Sequence, residues 1–224
     1  MAIDTQDSNA AAATARALSG SVGLIKLGLE FFVANGPQAV RDVAAAAALP
    51  VFLDLKLHDI PNTVAGAVRA ACQVAPAMLT LHAAGGPRML EAARAAAEAS
   101  GQSRPLLLAV TVLTSLDAAQ LDATGAGADV AAQVLRLARL AASSGMDGVV
   151  CSPNEARLIR DALGDRLALV VPGIRPAGSA VGDQARVATP AQAVAEGADW
   201  LVVGRPITGA PDPQAAACAI AATL

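Results

Sequence analysis

Short apolar segments alternate with alanine-rich helical segments along the whole chain of 224 residues. Eight of the apolar segments have the character of strands, and they recur at intervals of roughly 25–30 residues. The predicted strands cover residues 1–3, 22–27, 51–57, 78–82, 106–113, 148–151, 167–171 and 200–203. Predicted helices cover residues 8–18, 29–48 (interrupted at 35–37), 61–74, 87–99, 128–144, 153–163, 190–196 and 213–222. This alternation implies a parallel sheet.

Eight strand–helix units are the number found in a (β/α)8 barrel, and no change of composition marks a linker between domains. The sequence therefore predicts one α/β domain, a (β/α)8 barrel of the TIM type, over residues 1–224. A doubly wound open sheet is the competing architecture, but the GxGxxG turn that would support nucleotide binding there is absent after the first strand. In a barrel, the active site lies at the C-terminal ends of the strands.

Composition argues against several classes of function. The net charge of −3 and the scarcity of aromatic residues are atypical of a nucleic-acid-binding surface. Charged residues and glycines interrupt the apolar runs well short of a membrane span, and no secretion signal opens the chain. The cysteines Cys72, Cys151 and Cys218 lie far apart without a CxxC pair, which argues against a disulfide framework or structural zinc. We expect a cytoplasmic protein that binds neither nucleic acid nor membranes.

The segment VFLDLKLHDIPNT at residues 51–63 places charges within an apolar strand. Because strand side chains alternate, Asp54 and Lys56 should point to the same face. Buried opposite charges are unfavourable unless they pair or take part in chemistry. Asp59 follows closely, and Pro61 suits the first turn of a helix. An ion pair at a strand terminus is the purely structural alternative.

Polar or charged residues close nearly every predicted strand, although only 16% of all residues are charged. A barrel would bring these strand ends together, which predicts a functional site at one rim. The residues concerned are Asp4, Lys26, Asp54, Lys56, His82, Thr114, Arg175, Gly204 and Arg205.

Two parts of this rim have different chemistry. Arg175 and the Gly204–Arg205 turn end strands seven and eight, where barrels often bind phosphate. Glycine permits close approach of the backbone to an anion, and arginine can make a two-point contact. The alternative there is a glycine turn with a surface arginine. The alternating charges on the first three strands could keep a lysine protonated beside carboxylates and present its proton to a reacting carbon.

The histidines and cysteines give weaker signals. His82 could act as a ligand or a base, but a hydrogen-bonded histidine in the barrel mouth is the commoner outcome, and His58 is interpreted as structural. The histidines and carboxylates do not have convincing metal-ligand spacing, so we predict a metal-free site. The cysteines are interpreted as small core residues.

Taken together, the motifs resemble those of the orotidine 5′-phosphate decarboxylase family, and the resemblance covers the whole chain. DxK alone is weakly diagnostic, but these motifs together, in order and at barrel spacing, are highly specific. They are Asp4, KLG at 26–28, DLKLHDIPNT at 54–63, HAAGG at 82–86, VTVLTS at 110–115, DGVVCS at 147–152, PGIRP at 172–176, DQARVATP at 183–190 and VVGRPI at 202–207.

The resemblance implies a cofactor-free enzyme that converts orotidine 5′-monophosphate to UMP and CO₂. Lys26, Asp54, Lys56 and Asp59 match the family's charged tetrad. In it, Lys56 would donate a proton to C6 of the pyrimidine. Asp54 would lie against the substrate carboxylate, and Lys26 would orient the ribose and the charge network.

The resemblance also implies binding roles and a homodimer. Asp59, Ile60 and Thr63 would reach into the neighbouring subunit's site. The resemblance further implies that Asp4 contacts a ribose hydroxyl, that Thr114 contacts the pyrimidine edge and that Pro172 lines the pyrimidine pocket. The phosphate would be bound by Gln184, Gly204 and Arg205. Arg175 would lie at a loop that closes over the phosphate.

Two features depart from the expected pattern, and two other functions compete. The first strand is short, and the chain has no tyrosine that could contact a phosphate.

One rival function is that of a magnesium-dependent sugar-phosphate enzyme on a similar barrel, 3-hexulose-6-phosphate synthase or 3-keto-L-gulonate-6-phosphate decarboxylase. The IPNT continuation at 60–63 favours the orotidine enzyme. The other rival is a catalytically silent phosphoribosyl-ligand binder, which would have no reason to retain Lys56 among carboxylates.

Overall fold

The computed structural model describes residues 1–176 and 187–224, and within these ranges eight parallel strands alternate with helices. The strands are β1 (Ala2–Ile3), β2 (Ile25–Gly28), β3 (Val51–Leu57), β4 (Met78–His82), β5 (Leu106–Val110), β6 (Gly148–Val150), β7 (Ala168–Val171) and β8 (Trp200–Leu201). Each strand pairs with the next one in sequence. The Ala2 N–H donates to the Val203 carbonyl at 2.7 Å, which joins the first strand to the segment directly after the last. The predicted (β/α)8 barrel is confirmed.

The described ranges contain ten α-helices. They are α1 (Ser8–Ala17), α2 (Leu29–Ala47), α3 (Pro61–Cys72), α4 (Pro87–Glu98), α5 (Ala118–Ala123), α6 (Val130–Ser143), α7 (Pro153–Leu163), α8 (Pro190–Ala195), α9 (Arg205–Thr208) and α10 (Pro213–Ala221). Short 3-10 helices cover Ala83–Gly85 and Gly101–Ser103. None of the described helices combines the length and apolar character required to cross a membrane.

Local sequence signals account for the helix boundaries. The Ser152 and Glu155 side chains form the capping box of α7, at the start of the helix predicted for residues 153–163. Helix α2 breaks at Gly36, whose φ of +73° is readily adopted by glycine, directly before Pro37. Helices α5 and α9 were not predicted. The capping box of Asp117 and Gln120 is a sequence signal that could have located α5.

Several strands are shorter than predicted, although all eight are present. Strand β2 is Ile25–Gly28 rather than 22–27, β5 ends at Val110 rather than 113, and β8 is only Trp200–Leu201. Apolar character alone extends the prediction beyond these strands, because residues next to a strand can be buried without continuing its ladder. Val112 illustrates this, since it is buried although it lies beyond the end of β5.

Apolar side chains form two separate layers. The larger layer fills the space between the sheet and its surrounding helices. The smaller one consists of Leu24, Phe52, Met78, Leu108 and Val170. Leu24, directly before β2, and Phe52 of β3 lie two positions before Lys26 and Asp54 and so share their faces of the sheet. This layer therefore fills the barrel interior beneath the site.

Two aspartates fix the opposite, N-terminal edge of the barrel in the same way. Asp147, just before β6, accepts the Leu107 N–H of β5 at 2.7 Å and pairs with Arg104 at 2.8 Å. Asp199, just before β8, accepts the Leu169 N–H of β7 at 2.7 Å and pairs with Arg160. Structural ion pairs thus hold this edge, while the charges at the C-terminal edge surround a cavity.

Candidate active site

A cavity of about 640 Å³ opens at the C-terminal ends of the strands. Nine of the thirteen residues predicted for the site line it. They are Asp4, Lys26, Asp54, Lys56, Thr114, Pro172, Arg175, Gly204 and Arg205. Phe52, Val150 and Val202, which belong to the interior apolar layer or pack against it, also line the cavity. Barrel closure therefore brings together groups that are up to 201 positions apart in sequence.

Asp54 is the centre of the charged network. Its Oδ2 atom lies 2.8 Å from Lys56 Nζ and 3.4 Å from Lys26 Nζ. The Lys26 ammonium also lies 3.7 Å from Asp4 Oδ1, which extends the network to the first strand. A Cβ atom at Gly28 would lie 3.4 Å from Lys26 Nζ, so glycine in the KLG motif leaves room for this ammonium.

The carboxyl group of Asp54 is buried but remains ionised at neutral pH. Burial by itself raises the pKa of Asp54. The charges of Lys26 and Lys56 and the hydrogen bonds from Lys56 and Thr80 lower it by a larger amount, so the pKa lies below its ordinary value. Asp54 is only 8% exposed, which makes the loss of either lysine unfavourable.

Thr80 is a site residue that the sequence analysis missed. Its hydroxyl lies 2.8 Å from Asp54 Oδ1 and 2.9 Å from the Lys56 backbone nitrogen. The residue is fully buried, on the same face of β4 as Met78 and His82. A threonine flanked by leucines within the strand MLTLH was the available signal.

The charge pair on β3 does not result from regular alternation alone. Asp54 and Lys56 do share one side, as predicted, but the register with β4 shifts between Leu53 and Leu57. Lys56 has a φ of +49°, in the left-handed region that residues other than glycine rarely adopt. A bulge in β3 therefore directs Lys56 into the cavity.

Arg175 and Arg205 place positive charge at another part of the cavity wall. The pKa of Arg175 is lowered by burial and by the nearby positive charge of Arg205, although the group remains charged at neutral pH. Among the described lining residues, four cationic side chains accompany the two carboxylates Asp4 and Asp54. This excess of positive charge suits a ligand that carries several negative charges.

The remaining predicted residues lie elsewhere. Asp59 and Ile60 lie between β3 and α3, and Thr63 lies in the first turn of α3. All three are exposed, and Ile60 is 66% exposed. Gln184 lies outside the described residues.

The rings of His58 and His82 pack together with centroids 5.3 Å apart. Burial, followed by electrostatic interaction with His58 and with Lys56, lowers the pKa of His82 below its ordinary value.

Other lining residues were also absent from the prediction. The hydroxyl-bearing residues are Thr5, Thr14 and Thr208. The apolar or glycine residues include Val110, Val112, Leu113 and Gly173. Small hydroxyl and apolar residues are common throughout any sequence, so only the closed barrel distinguishes the ones that face the cavity.

The fold and this cavity define a (β/α)8-barrel enzyme whose site combines a buried lysine–aspartate network with a cationic wall. Residues 1–220 match the model of the orotidine 5′-phosphate decarboxylase / HUMPS family. The chain belongs to this family.

Individual relatives agree with the family model. An orotidine 5′-phosphate decarboxylase of Anaeromyxobacter sp. (strain K) is 58% identical over 223 residues, covering 100% of this chain and 96% of the relative. One from Rhodospirillum rubrum is 55% identical over 228 residues, covering 100% and 92%. The crystal structure of orotidine 5′-phosphate decarboxylase from Lactobacillus acidophilus superposes with a TM-score of 0.86 at 36% identity, covering 99% of this chain and 96% of that one.

Proposed function

We propose that this protein decarboxylates orotidine 5′-monophosphate to UMP and CO₂, with Lys56 as the proton donor to C6 of the pyrimidine. The observation that carries this proposal is the placement of Lys56 Nζ 2.8 Å from the buried Asp54 carboxylate, at the wall of a cationic cavity. The names of relatives that are more than half identical to this chain support the same reaction.

The proposed chemistry depends on charge that is positioned before the substrate binds. Loss of CO₂ would leave an electron pair on C6, and the Lys56 ammonium would donate the proton that converts this carbanion to UMP. The neutral Lys56 amine would then take a proton from water. The ionised Asp54 would lie against the substrate carboxylate, so departure of neutral CO₂ would relieve the repulsion between them. Such interactions accelerate a reaction because they favour the transition state over the bound substrate.

The rest of the site would bind the parts of the substrate that do not react. Arg205, the Gly204 amide and Gln184 would hold the phosphate, with Arg175 on the loop that closes over it. Asp4 would bind a ribose hydroxyl, Lys26 would orient the ribose, and Thr114 and Pro172 would contact the pyrimidine. The nearness of the two guanidinium groups supports an anion site, because a dianion would offset their mutual repulsion. Binding energy from the phosphate can then be used at the reacting carbon.

We also propose a metal-free reaction. Both lysine ammonium groups already lie within 3.4 Å of Asp54 Oδ2, so a cation binding this carboxylate would compete with two fixed positive charges. Electrostatic stabilisation by Lys26 and Lys56 then replaces a Lewis acid in the proposed mechanism.

The assembly that we propose is a cytoplasmic homodimer of one barrel domain spanning residues 1–224. Asp59, Ile60 and Thr63 would complete the partner's site. Their exposure directly after the strand that carries Asp54 and Lys56 supports this arrangement.

The test follows the orotate absorbance of orotidine 5′-monophosphate with purified protein, with and without EDTA. We expect the absorbance to fall at the same rate in both samples. A decrease in absorbance that EDTA abolishes would contradict the metal-free mechanism. No loss with folded dimeric protein would contradict the proposed reaction and favour a sugar-phosphate substrate, while tight UMP binding without turnover would favour a silent binder.

A further inference from the structure

We propose that Thr80 is a positioning residue for the reaction, holding both the Asp54 carboxylate and the Lys56 backbone through its single hydroxyl group. This inference rests on the proposed function. Its basis is a closed ring of contacts. Thr80 Oγ1 lies 2.9 Å from the Lys56 nitrogen and 2.8 Å from Asp54 Oδ1, while Asp54 Oδ2 lies 2.8 Å from Lys56 Nζ. Lys56 is thus held at its backbone and at its ammonium group.

The bulge in β3 explains why a side chain is needed at this point. Leu53 is aligned with Leu79 and Leu57 with Leu81, so three residues of β3 face the single residue Thr80 of β4. A bulge disrupts the ladder locally and leaves backbone groups without their regular partners. The Thr80 hydroxyl supplies an acceptor for the Lys56 N–H at the position where the φ of Lys56 is +49°.

The direction of these hydrogen bonds follows from the chemistry of the groups. A backbone N–H can only donate, so the Thr80 hydroxyl must accept from Lys56. Its own proton is then directed to Asp54 Oδ1, which accepts it as an ionised carboxylate. Thr80 therefore couples the backbone conformation that aims Lys56 to the charge state of Asp54. A hydrogen bond to the ionised form lowers the pKa of a carboxyl group, in agreement with the lowered pKa of Asp54.

Thr80→Val tests this inference because it removes the hydroxyl while keeping the branched shape. We expect kcat to fall about 10- to 100-fold, as for loss of a buried hydrogen bond to a charged group, with the Kd for UMP changed by less than about threefold. Thr80→Ser should restore kcat, since it retains the hydroxyl. Thr111→Val is the matched control: Thr111 is also a buried threonine, but its hydroxyl donates to the backbone carbonyl of Val150.

The pH profile separates positioning from simple stabilisation. The charged or titratable groups that influence Asp54 are Lys26 of β2, Lys56 of β3 and His82 of β4, and Asp4 lies beyond Lys26. None of them changes in the variants. In Thr80→Val the acid limb of kcat/KM should move to higher pH, because Asp54 loses a donor to its ionised form. An unchanged limb with unchanged kcat, or a Thr80→Ser variant as impaired as Thr80→Val, would overturn the inference. Thr80→Ala provides the same comparison if Thr80→Val does not fold.

A measurement without turnover keeps this inference distinct from the proposed reaction. The ¹³C resonance of the Asp54 carboxyl group, followed against pH in the free protein, should have a higher midpoint in Thr80→Val than in the wild type and in Thr111→Val. A wild-type protein that fails to decarboxylate the substrate would refute the proposed function alone. An Asp54 midpoint that is identical in all three proteins would refute the role of Thr80.

Discussion

At the scale of single residues, Asp54 determines the properties of the whole network. Its two carboxylate oxygens have different partners: Oδ2 lies beside the two lysine ammonium groups, and Oδ1 accepts the Thr80 hydroxyl. Removing any one partner would leave the other charges less well compensated in a largely buried setting. Substitutions in this network should therefore affect stability as well as activity.

Lys56→Ala should abolish decarboxylation while leaving product binding largely intact. Loss of the proton donor should reduce kcat by at least about 10²- to 10⁴-fold, the usual contribution of a positioned acid. The measurement is steady-state turnover together with the Kd for UMP from calorimetry. Substantial residual turnover with correct folding would refute the proton-donor role of Lys56.

Arg205→Ala should weaken ligand binding and lower kcat/KM. The expected loss is about 2–5 kcal/mol of transition-state stabilisation, as for a charged contact whose partner is truncated. Arg136→Ala, which removes an exposed arginine of α6, is the control and should have no effect. An Arg205→Ala variant with unchanged kcat/KM would show that Arg205 does not belong to the proposed phosphate site.

Asp54→Asn should make the free energy of unfolding depend differently on pH. The folded pKa of Asp54 lies below the unfolded value of about 3.9. The ionised carboxylate therefore stabilises the folded protein fully above that pH, and this contribution is lost as the pH falls through the folded pKa. We expect the free energy of unfolding of the wild type to exceed that of Asp54→Asn by about 1–3 kcal/mol at neutral pH. This difference should shrink below about pH 4.

Urea unfolding at a series of pH values measures this difference. Asp165→Asn is the control, because Asp165 pairs with Arg160 at 3.4 Å with a fully exposed side chain, and such pairs contribute little to stability. A difference between wild type and Asp54→Asn that stays constant down to pH 3 would show that the charge of Asp54 is not the cause.

At the scale of elements, strand β3 combines two requirements that ordinarily conflict. Its first residues pack in the core, whereas its last residues present charges to the cavity. The change occurs at the bulge, where Lys56 leaves regular strand geometry. The sequence correctly predicted the bounds of β3 and the shared face of Asp54 and Lys56. It could not predict the bulge, because register depends on the neighbouring strand β4 rather than on the residues of β3.

Strand β6 should tolerate no side chain at Gly148. A Cβ atom there would lie 2.5 Å from the Ala168 carbonyl oxygen and 2.8 Å from Leu108 Cδ2. Gly148→Ala should therefore destabilise the barrel by about 1–3 kcal/mol, as for overpacking. In contrast, Gly66→Ala in α3 meets only Arg69 Nη2 at 3.7 Å and should stabilise by about 0.5–1 kcal/mol. Thermal unfolding measures both, and a Gly148→Ala protein with unchanged Tm would contradict the packing argument.

At the scale of the whole molecule, the exposed segment after β3 gives a direct test of shared sites. Lys56→Ala and Asp59→Ala should each inactivate the proposed homodimer. Mixing the two under conditions of subunit exchange should restore about a quarter of wild-type activity, because half of the dimers are hybrids and each hybrid has one intact site. Failure to restore activity, with hybrids demonstrated by mass spectrometry, would show that Asp59 acts within its own subunit.

Local patterns along the chain predict the barrel, most strand and helix positions, and the charged residues at the strand ends. These features depend on local patterns: apolar periodicity, helix caps, and charges that are unfavourable in a strand unless they pair or take part in chemistry. Motif resemblance added the family, which the comparisons confirm. Nine predicted site residues could be placed in the cavity because residues at the ends of parallel strands necessarily meet at one edge.

Contacts between distant parts of the chain select which ordinary residues join the site. Thr80 differs from other threonines solely because barrel closure places its hydroxyl opposite the bulge and against Asp54. The lowered pKa of Asp54 likewise depends on Lys26 and Thr80, which lie 28 and 26 positions away in sequence, as well as on nearby Lys56. Burial and distance set such effects, and both arise from long-range packing. A pattern of residue types along the chain encodes neither quantity directly.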